Sequence, residues 1–166
     1  MWENHLILNR KIAYTSSKPG KTQLINHIVI NNNWALVDLP GFGYAKLSKI
    51  KRIKILKENE KYLKKRGDTL VAVFMLIDIR IPPQKSDLQR MIWLVENNIY
   101  FIRVFTKSDG LNKVTTQNAI IKYDKHMKQQ QWGNMPETIV TSSKKKIGKD
   151  LIISKIEEIN NLFQNL

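Results

Sequence analysis

Two short turns carry the side chains of this sequence that are best suited to chemistry. The first turn is Asp38-Leu39-Pro40-Gly41, which follows an apolar stretch at residues 34–37. The second is Thr106-Lys107-Ser108-Asp109, which follows a similar stretch at residues 100–105. Both stretches are predicted strands. Because ligands of open α/β sheets bind beyond the carboxyl ends of strands, we expect both turns to meet one ligand.

The first turn suits a metal-bound phosphate. Asp38 would end its strand with a carboxylate that can hold Mg²⁺, directly or through water. Gly41 has no Cβ, so its backbone N–H can approach a terminal phosphate closely. An ordinary Asp-Pro-Gly turn would look the same, so this pattern alone does not decide between the two.

The second turn suits a guanine base. The Asp109 carboxylate can accept hydrogen bonds from guanine N1–H and from its exocyclic amine, a donor pair that adenine lacks. The Lys107 stem can lie along the base plane, and Thr106 would orient the loop. The alternative is that Asp109 merely caps a helix. A third turn, Thr141-Ser142-Ser143, follows a short predicted strand and could offer backbone N–H groups to guanine O6, although polar loops before helices are common.

A segment near the N-terminus ends in Gly20-Lys21-Thr22, as a phosphate-binding loop does. However, Thr15 stands where such a loop needs its first glycine, and Pro19 removes one N–H donor. A phosphate loop also follows a strand and opens a helix, whereas this segment precedes a predicted strand. We therefore predict a switch loop whose Thr22 hydroxyl binds Mg²⁺ when the terminal phosphate is present.

The order of predicted elements indicates an α/β fold with a mostly parallel sheet, helices on both faces and one antiparallel hairpin, in a single domain. Ser48 is the expected cap of the first helix. Residues at helical spacing are expected to face the core; they are Ile50, Ile53, Leu56, Leu63, Leu88, Met91, Ile92 and Val95. The predicted strands lie at residues 24–30, 34–38, 70–77, 100–105 and 138–140, and the helices at 48–65, 85–97, 115–131 and 149–163. The strand at 70–77 is apolar throughout, as expected of a strand that is covered on both faces.

Composition limits the class of protein. The chain has 166 residues, no cysteine and a formal charge of +14. The absence of cysteine excludes disulfides, and no apolar run reaches the ~18 residues of a membrane span. We expect a cytoplasmic protein without membrane contact. The charge favours nucleic acid as a partner, although abundant Lys, Ile and Asn could also reflect an AT-rich genome.

Taken together, these segments resemble the EngB/YihA family of bacterial GTP-binding proteins. The most specific stretch runs from Val37 to Ala45 and includes Asp-Leu-Pro-Gly-Phe-Gly-Tyr-Ala. The resemblance implies a three-layer, P-loop-NTPase-like G domain that binds GTP or GDP with Mg²⁺. It also implies a monomer that helps to assemble the large ribosomal subunit, contacts its rRNA and ribosomal proteins, and is linked to cell division and septation.

By position, the resemblance implies roles for individual residues. The switch segment would be Gly20-Lys21-Thr22-Gln23-Leu24, and Mg²⁺ would be held by Thr22 and Asp38. The residues from Asp38 to Gly41 would face the terminal phosphate. The base would be held by the residues from Thr106 to Asp109 and from Thr141 to Ser143.

Two departures from the family pattern affect the expected activity. The family's first strand and phosphate loop would fall before Met1, so this sequence is expected to lack them. Phe42 occupies the position of the water-orienting glutamine of Ras-like enzymes, so we expect slow hydrolysis of GTP.

Two alternatives to a GTP switch therefore stay open. One is a truncated or degraded relative that binds nucleotide weakly. The other is a basic RNA-binding module that uses Lys49, Lys51, Arg52, Lys54, Lys57, Lys61, Lys64, Lys65 and Arg66.

Overall fold

The structure is a computed structural model that describes residues 25–41, 48–129 and 132–164. In chain order its strands are β1 (Asn26–Ile30), β2 (Trp34–Asp38), β3 (Val73–Asp78), β4 (Phe101–Thr106) and β5 (Thr138–Val140). Its helices are α1 (Lys49–Arg66), α2 (Lys85–Glu96), α3 (Lys113–Lys128) and α4 (Lys149–Gln164). Each matches a predicted element within a few residues. No helix in these ranges is long and apolar enough to cross a membrane.

The predicted hairpin is confirmed. Strands β1 and β2 pair antiparallel, with Ile30 opposite Trp34. Asn31 and Asn32 connect them with φ values of 50° and 52°, and the Asn33 N–H closes the turn on the Ile30 carbonyl at 3.0 Å. Asparagine tolerates this left-handed backbone better than most residues, and two such residues in sequence match the twist of a hairpin.

The second sheet is parallel and has the order β3-β4-β5. Its register places Asp78 opposite Thr106 and Phe105 opposite Val140. Five consecutive residues of the central strand, from Phe101 to Phe105, are buried. The carboxyl ends of all three strands therefore lie at one edge of the sheet.

Helices cover both faces of this sheet, as the sequence predicts. One core cluster joins Phe101 and Phe105 to residues of α1, α2 and α3, such as Leu63, Met91 and Tyr123. The other cluster lies on the opposite face and includes Ile102, Val104, Ile139, Ile152 and Ile159, the last two from α4. Because neighbouring strand residues point to opposite faces, the run Phe101–Phe105 supplies both clusters.

Three of the expected core positions are wrong. Ile50 and Ile53 of α1 are 80% and 44% exposed, and Val95 of α2 is 52% exposed. In α1 the buried residues are instead Asn59 and Leu63. Leu76 in β3 is also 40% exposed, so among the described residues the cover over β3 is incomplete on the face where α4 packs.

Arg103 is the largest fully buried side chain among the described residues, with 2% exposure. Its Nη1 atom donates to Asp124 Oδ1 of α3 at 2.7 Å, and Nη2 donates to the Pro136 carbonyl at 3.3 Å. The buried Nε has no hydrogen-bond partner. The guanidinium thus ties α3 and the segment before β5 to the central strand, and Asp124 supplies its counter-charge.

We predict that Asp124→Ala lowers the free energy of unfolding by about 2 kcal/mol, because it leaves the buried guanidinium without its counter-charge. The double variant Arg103→Met/Asp124→Ala is expected to lose less than Asp124→Ala alone, since it removes the charge as well. Urea unfolding measures both changes, provided that the dependence of the free energy on urea concentration is the same in each variant. Glu157→Ala, an exposed change on α4, is the control and should stay within about 0.5 kcal/mol. A double variant that is less stable than Asp124→Ala would contradict the role of the pair.

Candidate functional site

The turn after β4 is held in place by a side-chain bond to β3 and a backbone bond to the turn after β5. Thr106 Oγ1 donates to the Ile77 carbonyl at 3.1 Å. Lys107 takes a left-handed conformation with φ of 62°, and a short 3₁₀ helix follows at Ser108–Gly110. The Ser108 N–H then donates to the Thr141 carbonyl at 3.1 Å. Thr106 therefore orients this loop, as predicted from the sequence.

The turn after β5 meets the turn after β4 directly. Ser142 is fully buried, and its Oγ donates to Asp109 Oδ1 at 2.6 Å. The same Oγ accepts from the Lys145 N–H at 3.1 Å. Thr141 is also buried and bonds the Phe105 carbonyl through both its N–H and its hydroxyl. The structure thus brings two predicted base-binding turns together, with Asp109 at their junction, whereas Ser143 is exposed.

The charge of Asp109 is stabilised by its surroundings. The hydrogen bond from Ser142 is the main reason that the pKa of this carboxyl lies below its usual range, and the positive charges of Lys144 and Lys145 act in the same direction. The group is therefore ionised at neutral pH. An ionised carboxylate has about four lone-pair sites, so it can accept from a ligand while it keeps the bond from Ser142.

The first predicted turn is held by a different set of contacts. Asp38 ends β2 and is half-buried. The Pro40 carbonyl accepts from Asn59 Nδ2 of α1 at 2.9 Å, and Leu39 packs against the same core cluster as Leu63. This turn, which ends at Gly41, is therefore fixed to α1. The predicted switch residues from Gly20 to Leu24, and Phe42, lie outside the described residues.

Sequence reasoning did not assign a role to Asp78, which ends β3 at the same edge as Thr106. Its carboxylate accepts from Arg80 Nε at 2.9 Å, from Arg80 Nη2 at 2.7 Å and from Lys107 Nζ at 2.8 Å. The available signal was positional, since Asp78 ends an apolar strand as Asp38 does. Asn59 was missed as well, because a polar residue on the buried side of a helix gives no specific signal.

We predict that Ser142→Ala raises the pKa of Asp109 toward its ordinary value of 3.8, since the variant lacks the bond that favours the charged form. A group with a lowered folded-state pKa contributes stability above its unfolded pKa and loses it as the pH falls through the folded value. As the pH is lowered from neutral to below about 4, the variant should therefore lose less stability than the wild type. NMR titration of the Asp109 carboxyl carbon measures the shift. Ser143→Ala is the matched control, and an equal shift there would show that Ser142 is not the cause.

The family model of a 50S ribosome-binding GTPase matches residues 4–126 of this chain, which is most of its length. Two relatives, each called a probable GTP-binding protein EngB, are similar over nearly the whole chain. The one from Christiangramia forsetii is 47% identical over 158 residues, which are 95% of this chain and 79% of that protein. The one from Flavobacterium johnsoniae is 46% identical over 163 residues, which are 97% of this chain and 77% of that protein.

Solved structures show the same fold. A crystal structure of a probable GTP-binding protein EngB superposes with a TM-score of 0.76 at 19% identity, and the match covers 96% of this chain and 90% of that one. Translation elongation factor SelB from Methanococcus maripaludis superposes with a TM-score of 0.60 at 18% identity, over 82% of this chain and 28% of that one. The sheet, the paired turns at its edge and the matches in sequence lead to one conclusion: this chain belongs to the EngB family of GTP-binding proteins.

Proposed function

We propose that this chain is a single G domain that acts as a GTP/GDP switch in the assembly of the large ribosomal subunit. The proposed site comprises Asp109 for the base, the turns at Thr106–Asp109 and Thr141–Ser143 around it, and the turn at Asp38–Gly41 for the terminal phosphate. The observation that carries the proposal is the contact between Ser142 and Asp109, which places an ionised acceptor at the edge of the sheet. The family description of a 50S ribosome-binding GTPase supports the ribosomal role.

Mg²⁺ is the proposed cofactor, with Asp38 and Thr22 as its protein ligands. Asp38 offers the oxygen donor that Mg²⁺ prefers, and this ion is usually held by one or two protein groups together with phosphate oxygens and water. The described residues contain no group of three or more His, Cys, Asp or Glu that could hold a metal, and such a site does not need one. When bound, the ion would offset the charge of the phosphates.

The proposed partner is the precursor of the large ribosomal subunit, with RNA as the first contact. Helix α1 carries nine basic and two acidic residues, a net charge of +7 and thus half of the formal +14 of the chain. Lys54, Lys57, Lys61 and Lys65 are all exposed. At 100° and 1.5 Å per residue they lie along one side of the helix over about 16 Å. None of the four makes an ion pair within the described part of the chain, so a polyanion could bind all of them. The link to cell division and septation, a cytoplasmic location and a monomeric state complete the proposal.

The base-binding role of Asp109 predicts a change of nucleotide preference. Asp109→Asn is expected to weaken GDP binding by at least about 100-fold, because the amide presents a donor to the guanine exocyclic amine. Xanthine carries a carbonyl at that position, so the variant should prefer xanthosine diphosphate. Titration of fluorescent nucleotides measures both affinities, with Asp68→Asn, an exposed change after α1, as the control. Wild-type protein that binds GDP and ADP equally would refute the guanine site, and wild-type protein that binds neither would favour a degraded relative.

If the lysines of α1 bind RNA, the loss of RNA affinity should depend on which lysines are replaced. The α1 variant replaces Lys54, Lys57, Lys61 and Lys65 by Gln, and the matched α3 variant replaces Lys113, Lys122, Lys125 and Lys128, which are also exposed. Both have the same net charge. With a 20-nucleotide single-stranded RNA, only the α1 variant should bind more weakly, and the magnitude of its slope of log K against log salt should fall by up to about 3. Equal losses in both variants would mean that binding follows total charge and that α1 is not the surface.

A further inference from the structure

Asp78 occupies the point where the predicted base-binding turn meets the neighbouring strand. The backbone register places it opposite Thr106, one residue before Lys107. Its side chain is 15% exposed, and both of its oxygens accept hydrogen bonds from basic side chains. The bonds from Arg80 are the main reason that its pKa lies far below the usual range, against the opposing effect of burial. Asp78 is therefore ionised at neutral pH.

Lys107 is held at both its backbone and its amine. Its backbone is left-handed, with φ of 62°, a conformation that a lysine rarely adopts. Its side chain is 56% exposed, yet its Nζ lies 2.8 Å from Asp78 Oδ2. An exposed lysine usually samples many rotamers, and this contact selects those that bring the amine back across the strand end. The carbon stem of Lys107 is therefore held at both of its ends.

Arg80 fixes the carboxylate in turn. Its Nε and Nη2 atoms bond the two oxygens of Asp78 separately, and its backbone N–H adds a bond to Oδ1 at 3.2 Å. A Cβ built on Gly110 would lie 3.2 Å from Arg80 Cδ, so the Arg80 stem passes close over the end of the Asp109 turn. The hydrogen bond with Asp78 is the main reason that the pKa of Arg80 is raised, and the charge of Asp109 acts in the same direction. Asp78 thus cannot rotate away from Lys107 without breaking the bidentate pair with Arg80.

We propose that Asp78 is a positioning residue for nucleotide binding, which holds the Lys107 stem where it will lie along the plane of the base. This inference rests on the proposed guanine site and adds to it a side chain that would not itself touch the nucleotide. The benefit is preorganisation: a lysine that is already ordered loses little rotamer freedom when the ligand arrives. Arg80 sets the orientation of Asp78 and therefore acts one step further from the base.

The contact itself can be tested without nucleotide. Brief acetylation with an N-hydroxysuccinimide ester, followed by peptide mass spectrometry, measures how readily each lysine amine reacts. An ammonium held by a carboxylate reacts slowly, so Asp78→Asn should raise the acetylation rate of Lys107 several-fold. Lys113, an exposed lysine at the start of α3, is the internal control and should not change. An unchanged rate at Lys107 would overturn the proposal.

The consequence for binding is tested by a double-mutant cycle with GDP. Asp78→Asn and Lys107→Ala should each raise the Kd for GDP, the former by about tenfold, the scale of the freedom lost by one lysine. The double variant should be no weaker than Lys107→Ala alone. Asp78→Asn should also leave the ratio of GDP to xanthosine diphosphate affinity unchanged, unlike Asp109→Asn.

The outcomes separate the two proposals. If Asp78→Asn weakens the Lys107→Ala variant further, Asp78 acts on general loop structure and the positioning role fails while the guanine site stands. If wild-type protein binds no GDP although Lys107 is protected from acetylation, the guanine site fails. The contact between Asp78 and Lys107 is then structural only, and the positioning role is overturned as well.

Discussion

The parallel pairing of β4 with β3 on one side and β5 on the other is the constraint on which the rest of the structure depends. That register brings Asp78, Thr106 and Thr141 to one edge, and it does so with backbone bonds that any sequence could make. The sequence decides which register forms. Because side chains alternate between faces, a slip by one residue would exchange Phe101 and Phe105 with Ile102 and Val104 between two cores of different shape. Burial of the strand on both faces therefore fixes the positions of the polar residues at this edge, Asp78, Thr106 and Thr141.

The polar edge is ordered by bonds between its own side chains before any ligand binds. Asp109 is held by Ser142, and Lys107 is held by Asp78. Both carboxylates are kept ionised by donors and by nearby positive charge, in a protein whose formal charge is +14. If this edge binds nucleotide as proposed, it would lose little conformational freedom on binding, and a ligand that leaves the charged acceptor at Asp109 unsatisfied would bind weakly.

Sequence reasoning was accurate where local chemistry and burial agree. The hairpin followed from three asparagines between two predicted strands, and the order of strands and helices followed from apolar patterning. The placement of Thr106 and Asp109 at one edge of the sheet followed from their positions at and after the end of a strand. It failed for Ile50 and Ile53, because helical periodicity shows that apolar residues share a face but not whether a neighbour covers it. The contacts of Asp78 with Lys107 and of Asn59 with Pro40 join residues 29 and 19 positions apart, and no local pattern encodes such pairs.

Helix α1 is attached both to the core, through Leu63, and to the turn after β2, through the bond between Asn59 and Pro40. On its buried side the helix packs Leu63 into the core and donates from Asn59 to the turn that ends β2. On its exposed side it carries the lysines. Asn59 Oδ1 already has no hydrogen-bond partner within the described part of the chain. Loss of the remaining bond would leave the whole amide unsatisfied, at a cost of about 1–3 kcal/mol. A displacement of the Asp38–Gly41 turn must therefore either move α1 with it or lose this bond, so the turn and the basic helix are coupled through Asn59.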